Sequence, residues 1–201
     1  MLGLPKSTEL NKLLPKKAIY AKFQMNTAAK ERFDADISRI NIVGEISPNT
    51  VGIAAGENVS SIFVLLVSLK RKEFQANTIA QISKLIDQNM LLVLEFERQR
   101  KLAIYHTKLI QTDWVRADGF AVTLKGLDLD SVWENLIVQV GGITIQQGNT
   151  LDQQIANDDK RAKLEKEIAR LEKLARAEKQ PKKKFEIVQQ IQQLKKEGNV
   201  P

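Results

Sequence analysis

Residues 62–69 read IFVLLVSL, an almost unbroken apolar run of β-branched and other large side chains. A strand with one solvated face alternates between apolar and polar residues, whereas a strand covered on both faces is apolar almost throughout. This run therefore predicts a central, buried strand and places a sheet at the core of the chain.

The segments around this strand predict a mixed α and β order. Three amphipathic segments predict helices, at residues 26–38, 77–88 and about 130–142. Four other apolar segments predict strands, at residues 39–46, 51–54, 90–96 and 101–105, and the last two are predicted to form a hairpin with a short charged turn between them. Asn26 or Thr27 is the expected N-cap of the first helix and Asn77 that of the second. The fold class is therefore α+β with a mixed sheet.

Between residues 26 and 96 the predicted order is αβββαβ, which resembles the core of the restriction-endonuclease-like nucleases. In that fold two carboxylates hold Mg²⁺ and a lysine sits beside the attacking water. Here the corresponding third strand ends in Ser68, Leu69 and Lys70, and the short strand before it carries no acid. The other acids considered are Glu45, Glu95 and Glu97, which the sequence does not assemble into a metal site. A metal-dependent nuclease, or a degenerate relative of that fold, remains the alternative function.

Composition excludes several classes of enzyme. The 201 residues are 43% hydrophobic, enough for a sizeable core, and they include no cysteine and one histidine. Thiolate zinc sites, cysteine nucleophiles and Ser/His/Asp triads are therefore not expected. Neither GxxxxGK[ST] nor GxGxxG occurs, and the nearest glycine pair is Gly52 with Gly56. We expect no catalytic residue, no metal site and no cofactor.

The positive charge is concentrated in the last quarter of the chain. Residues 1–150 hold 18 basic and 15 acidic side chains, and residues 151–201 hold 13 and 9, so the net charges are +3 and +4. Both tryptophans and most of the phenylalanines lie before residue 150. The segment after residue 150 consists mainly of Lys, Glu, Gln, Ala and Leu. We therefore predict a globular domain over 1–148 and a basic arm over 149–201.

The arm is predicted to be an antiparallel helical hairpin. Thr150 and Gln153 fit a capping box, and no Gly or Pro interrupts the next residues until Pro181 starts a second helix. The residues proposed for packing, within the hairpin or against a partner, are Leu164, Ile168, Leu171 and Leu174. The residues proposed to bind nucleic acid or an acidic partner are Arg176, Lys179, Lys182, Lys183 and Lys184.

Three blocks of sequence carry a family resemblance. They are LGLPKSTELNKLLPKKAIY at 2–20, SVWENL at 131–136 and RAKLEKEIARLEKLARAEKQPKKKFEIVQQIQQLKKE at 161–197. The chain resembles a bacterial domain family of unknown function, whose genes are found beside superfamily 2 helicases and DNA methyltransferases in restriction-like or phage-defence islands. The resemblance implies an accessory subunit and transfers no catalytic residue.

Together these observations predict a non-catalytic accessory or adaptor subunit of a DNA-directed phage-defence or restriction-like assembly. Its partner would be a helicase or methyltransferase subunit. Whether the protein also contacts DNA directly, and whether it self-associates, is left open. No apolar run approaches the length of a bilayer span, and residues 1–6 do not resemble a signal peptide. A cytoplasmic location is expected.

Overall fold

In a computed structural model that describes residues 2–117, 119 and 121–198, the chain divides into two compact units, Met1–Ile143 and Thr144–Pro201. The first unit is an α+β body and the second contains a pair of helices. The predicted α+β class and the C-terminal helical pair are confirmed.

The body is built on one seven-stranded sheet, counted over the described residues. Its strands are β1 (Glu9–Leu13), β2 (Ile37–Ile46), β3 (Ile62–Leu69), β4 (Asn89–Phe96), β5 (Gln99–Tyr105), β6 (Leu109–Gln111) and β7 (Val115–Arg116). Strands β1 to β6 lie in chain order across the sheet, and β7 pairs with β5. Only the β3–β4 pairing is parallel among the described strands, so the sheet is mixed, as predicted.

Helices connect and cover the strands. The body contains α1 (Lys16–Lys22), α2 (Thr27–Asp36), α3 (Pro48–Val51), α4 (Ala76–Ser83) and α5 (Leu129–Gly141), and the second unit contains α6 (Leu151–Ala177) and α7 (Pro181–Gly198). A 3-10 helix, Lys6–Thr8, precedes β1. Within the described ranges no helix combines the length and the apolar character that crossing a bilayer requires.

The strand predicted from residues 62–69 lies in the interior of the sheet. Leu65 and Val67 of β3 are buried in one core cluster together with side chains from α1, α2 and α4, among them Ile19, Phe33 and Ile79. Ile62 and Val64, which alternate with them, are also buried, so both faces of β3 are covered. The other side of the body includes α5, which contacts β5 and β6.

Several predicted elements are confirmed. Asn26 caps α2 by accepting a hydrogen bond from the Ala29 amide at 2.9 Å. The β4–β5 hairpin turns on Glu97 and Arg98, and Glu97 has the positive φ of 52° that such a short turn requires. α5 ends at Gly141, as predicted.

The strand predicted over 51–54 is wrong, and the αβββαβ order fails at that position. Residues 48–51 form the short helix α3, and beyond it Ala54 makes only a single bridge, to Asp128. Pro48 at the first helical position favours the helix, and the Ser47 amide donates to the Thr50 hydroxyl at 2.8 Å. Gly52 then ends the helix at φ 69°.

The cap predicted for the helix after residue 76 is also wrong. α4 begins one residue before Asn77 and has no side-chain cap from its own segment. Instead, the Asp36 carboxylate accepts from the Gln75 amide at 3.1 Å and the Thr78 hydroxyl at 3.2 Å. The cap therefore comes from the end of α2, about 40 positions earlier in the chain. α4 also ends at Ser83, earlier than predicted.

Candidate nucleic-acid interface

The second unit begins with a well-defined helix start. Thr150 and Gln153 form the predicted capping box: the Gln153 amide donates to the Thr150 hydroxyl at 3.3 Å, and the Thr150 amide donates to the Gln153 side chain at 2.9 Å. Because both groups are satisfied reciprocally, the start of α6 is fixed by its own sequence.

The two helices of this unit pack through a narrow apolar seam. Its buried members are Ile168, Leu171, Ala175, Ile187 and Ile191, and Leu164 and Leu194 pack against them while partly exposed. Three of the four proposed packing residues therefore lie inside the hairpin. The fourth, Leu174, is 48% exposed and lies outside the seam.

The five basic residues proposed for binding surround the turn of the hairpin and are here called the tip cluster. Arg176 lies in the last turn of α6, Lys179 lies in the connection, and Lys182, Lys183 and Lys184 occupy the first turn of α7. All five are exposed, and none forms an ion pair with a described residue. Successive helical positions project about 100° apart, so the three lysines point to different sides of the helix start.

Several charges along the rest of the hairpin are paired. Arg161 lies 2.9 Å from Glu165, Arg170 lies 2.7 Å from Glu167, and Lys195 lies 3.6 Å from Glu172 across the two helices. Residues 176–186 hold five basic and two acidic side chains, a local net charge of +3. The tip is therefore a compact positive surface with little internal neutralisation.

The candidate nuclease residues are not brought together as one site. Glu45 pairs with Phe63 near the start of β3, whereas Lys70 follows the end of that strand. The six steps along the strand from position 63 to position 69 span about 20 Å. Glu95 is held in an ion pair with Arg100 at 2.6 Å. Among the described residues no group of three or more His, Cys, Asp or Glu side chains could hold a metal ion.

The acids that the structure places near Lys70 are Asp34 and Asp36. The Lys70 amide donates to the Asp36 carbonyl at 2.8 Å, and the Lys70 charge contributes to lowering the pKa of Asp34. The larger causes of that lowered pKa are hydrogen bonds from Lys16 and Tyr20, each 2.6 Å long.

Asp36 is fully buried and its carboxylate is already engaged. It accepts from Arg71, with the Nε contact at 2.6 Å, and from the two groups that it caps at the start of α4. Asp36 therefore joins the end of α2 to the loop that follows β3. No local sequence pattern indicates this role, because the partners of Asp36 lie 35 to 42 positions away.

The residues that follow Gly56, one of the two glycines considered as a phosphate cradle, bind an internal carboxylate. The amides of Glu57, Asn58 and Val59 donate to Asp130 at 2.9, 3.2 and 2.7 Å. A Cβ on Gly56 would lie 2.1 Å from Asp130 Oδ1, so only glycine leaves room for it. Consecutive backbone amides of this kind form an anion-binding nest, and here the anion is the side chain of Asp130.

A cationic and aromatic cluster on the body was not predicted from the sequence. The Lys72 and Lys101 ammonium groups lie 5.9 and 5.4 Å from the centroid of the Trp114 ring. These residues come from the loop after β3, from β5 and from the residue before β7, so only the sheet brings them together. A usable sequence signal was the Trp114 side chain in a polar segment, TDWVR at 112–116.

Comparison with known proteins identifies the family and no more specific relative. A family model described as "Domain of unknown function (DUF4391)" matches residues 2–197. Neither a curated protein nor a solved structure matches the chain significantly. Since the matched range covers nearly the whole sequence, the chain belongs to the DUF4391 family.

Proposed function

We propose that this protein is a non-catalytic adaptor that binds DNA through the tip cluster, as a subunit of a DNA-directed phage-defence or restriction-like assembly in the cytoplasm. The observation that supports the proposal is a concentration of five exposed cations at the turn of a helical hairpin, none of which forms an ion pair with another described residue. The proposed association with helicases or methyltransferases rests on the family resemblance described above.

The electrostatics of α7 favour an anionic partner. Its first turn contains three lysines and no acid, although the partial positive charge of a helix N-terminus disfavours cations there. Each such charge typically changes helix stability by about 0.3 to 1 kcal/mol. A phosphate backbone would neutralise both the lysines and the helix terminus, so DNA binding would remove an unfavourable interaction of the free protein.

Protein contacts are proposed beside the same tip. Leu174 and Phe185 are 48% and 62% exposed, and both lie within about two turns of the connection between the helices. Exposed apolar side chains in a charged surface are suited to the centre of a protein interface. Co-purification with a helicase or methyltransferase encoded beside the gene tests the proposed protein contact. The double variant Leu174→Glu, Phe185→Glu should abolish this co-purification.

The DNA-binding proposal is tested by two matched charge reversals. One variant carries Lys182→Glu, Lys183→Glu and Lys184→Glu at the tip. The control, here called the shaft variant, carries Lys160→Glu, Lys163→Glu and Lys166→Glu. These three lysines are exposed on α6 away from the tip, and their reversal changes the net charge by the same amount.

Affinity for a duplex is measured by fluorescence anisotropy over a range of salt concentrations. Each lysine of the tip variant that contacts a phosphate should contribute about 0.9 to the slope of log affinity against log salt, so the slope should fall by about 0.9 to 2.7. The shaft variant should change the slope much less. Equal losses in both variants would mean that only net charge matters and would contradict a binding role for the tip.

A degenerate or metal-dependent nuclease is the second candidate. The observation in its favour is the position of Lys70 beside Asp34 and Asp36 at the end of β3. Cleavage of DNA by the purified protein with Mg²⁺ or Mn²⁺, lost in Lys70→Ala, would support this function. Absence of cleavage in both proteins would favour the adaptor.

A further inference from the structure

One surface of the body combines one aromatic ring with cations on the same face of the sheet. Gln99 of β5 pairs with Arg116 of β7, and Arg100 pairs with Val115, so the next position places Lys101 opposite Trp114. Because side chains alternate between faces, Gln99, Lys101, Trp114 and Arg116 share one face. We call these four residues, together with Lys72, the aromatic patch.

Two cations of the aromatic patch lie beside the Trp114 ring, which is itself partly buried against the core of the body. The ammonium groups of Lys72 and Lys101 both lie within 6 Å of its centroid, and neither forms an ion pair with a carboxylate in the described part of the chain. The pKa of Lys101 is lowered, mainly by burial and also by the charge of Lys72, while the charge of Asp113 opposes this shift. Two mutually repelling ammonium groups at one ring would both be stabilised by an incoming anion.

An open cavity adjoins this surface. It has a volume of about 600 Å³ and is lined by Glu97, Arg98, Gln99, Arg116 and Ala117. Gln99 and Arg116 thus belong both to the cavity and to the aromatic patch. The volume falls within the range of about 300 to 1,000 Å³ that is usual for sites of small organic groups.

We propose that the aromatic patch binds single-stranded nucleic acid, with a base stacked on Trp114 and the adjoining phosphates at Lys72 and Lys101. Proteins that bind single strands combine a cationic surface with aromatic rings on which unpaired bases stack. In a duplex the bases are already stacked on each other, and an acidic protein would use the lysines but not the ring. The surface is formed by residues 72–117 and is separate in sequence from the tip cluster.

The first measurement is quenching of tryptophan fluorescence by a short oligothymidine. The chain contains two tryptophans, and Trp133 is 7% exposed, so a stacked base should quench mainly Trp114. Trp114→Phe keeps an aromatic ring for packing and should remove the quenching. Trp114→Ala should weaken binding by about 5- to 150-fold, the range expected for one base–aromatic stack.

The second measurement is the salt dependence of the same binding. The double variant Lys72→Gln, Lys101→Gln should lower the slope of log affinity against log salt by about 1.4, or about 0.7 for each single-strand phosphate. Lys84→Gln is the control for the single variant Lys101→Gln, because the Lys84 ammonium group also lies over an aromatic ring, 4.6 Å from the centroid of Tyr105, but outside the patch. It should leave the slope unchanged.

Three outcomes would overturn the proposal. They are oligothymidine binding without quenching, equal effects of the Lys84 and Lys101 single changes, and, in the tip triple reversal, equally tight binding of polyglutamate or of a duplex. The tip triple reversal should retain the quenching at saturating oligothymidine, so this surface is tested separately from the hairpin.

Discussion

Removal of the Asp130 carboxylate should destabilise the body through the loop that it holds. Three backbone amides donate to this side chain, and the 2.7 Å bond from Val59 is the shortest. Glu57 and Asn58 are exposed, so water can replace the carboxylate there, whereas Val59 is 5% exposed and its amide would be left without an acceptor. An unsatisfied buried amide is unfavourable by about 1 to 3 kcal/mol, and bonds to a charged group contribute about 1.5 to 3 kcal/mol each. After allowing for exposure, we expect Asp130→Ala to lower the free energy of unfolding by about 2 to 3 kcal/mol.

Urea denaturation followed by the fluorescence of Trp133 measures this change, because Trp133 lies on the same helix and is buried. Asp130→Asn keeps one acceptor oxygen and should give an intermediate loss. Glu134→Ala removes an exposed carboxylate from that helix and should change the free energy of unfolding by less than about 0.5 kcal/mol. If Asp130→Ala matched Glu134→Ala, the amide nest would contribute nothing to stability and the reasoning would be refuted.

Three further predictions concern other parts of the chain. Asp36→Ala should lower the free energy of unfolding by about 2 to 3 kcal/mol, since it leaves the Thr78 hydroxyl and the start of α4 unsatisfied, whereas the half-exposed Arg71 can be hydrated. Chemical denaturation measures this change, and a loss below about 1 kcal/mol would contradict the capping role. The folded-state pKa of Asp34 is lowered, so its contribution is present above the unfolded value of about 3.9 and is lost as pH falls through the folded value. Asp34→Asn should therefore be less stable than the native chain at neutral pH but not at the lowest pH at which both remain folded, as denaturation at the two pH values would reveal. Leu171 is 5% exposed, so Leu171→Ala should lower the stability of the hairpin by about 2 to 3 kcal/mol, whereas Leu174→Ala, at a position 48% exposed, should lower it by less than about 1 kcal/mol. Thermal unfolding followed by helical circular dichroism compares the two variants. Equal effects would contradict the assignment of Leu171 to the buried seam.

For the elements that were predicted correctly, the residues that determine the structure lie within a few positions of each other in the sequence. The apolar run at 62–69 forms β3 because a strand without polar alternation must be covered on both faces. The start of α6 follows from Thr150 and Gln153, three positions apart, and the β4–β5 hairpin follows from two apolar strands around a short polar turn. Such local patterns do not depend on the rest of the fold.

The elements that were missed depend on distant partners. β1 is exposed along its whole length and has no apolar pattern, so its pairing with β2 is what makes it a strand. The Trp114 cluster likewise requires β7 to pair with β5. The proposed tip cluster could be located from the sequence because its basic residues lie close together in the chain, but the aromatic patch could not.

The amino-acid sequence by itself determined the α+β class, the central strand, the helical hairpin and the concentration of positive charge at its turn, since each follows from composition or short-range periodicity. Only the tertiary structure decided the roles of Asp36 and Asp130, whose carboxylates meet amides 39 and 71 to 73 positions away. A carboxylate satisfies whichever donors folding brings within about 3 Å, and no spacing along the chain encodes that distance.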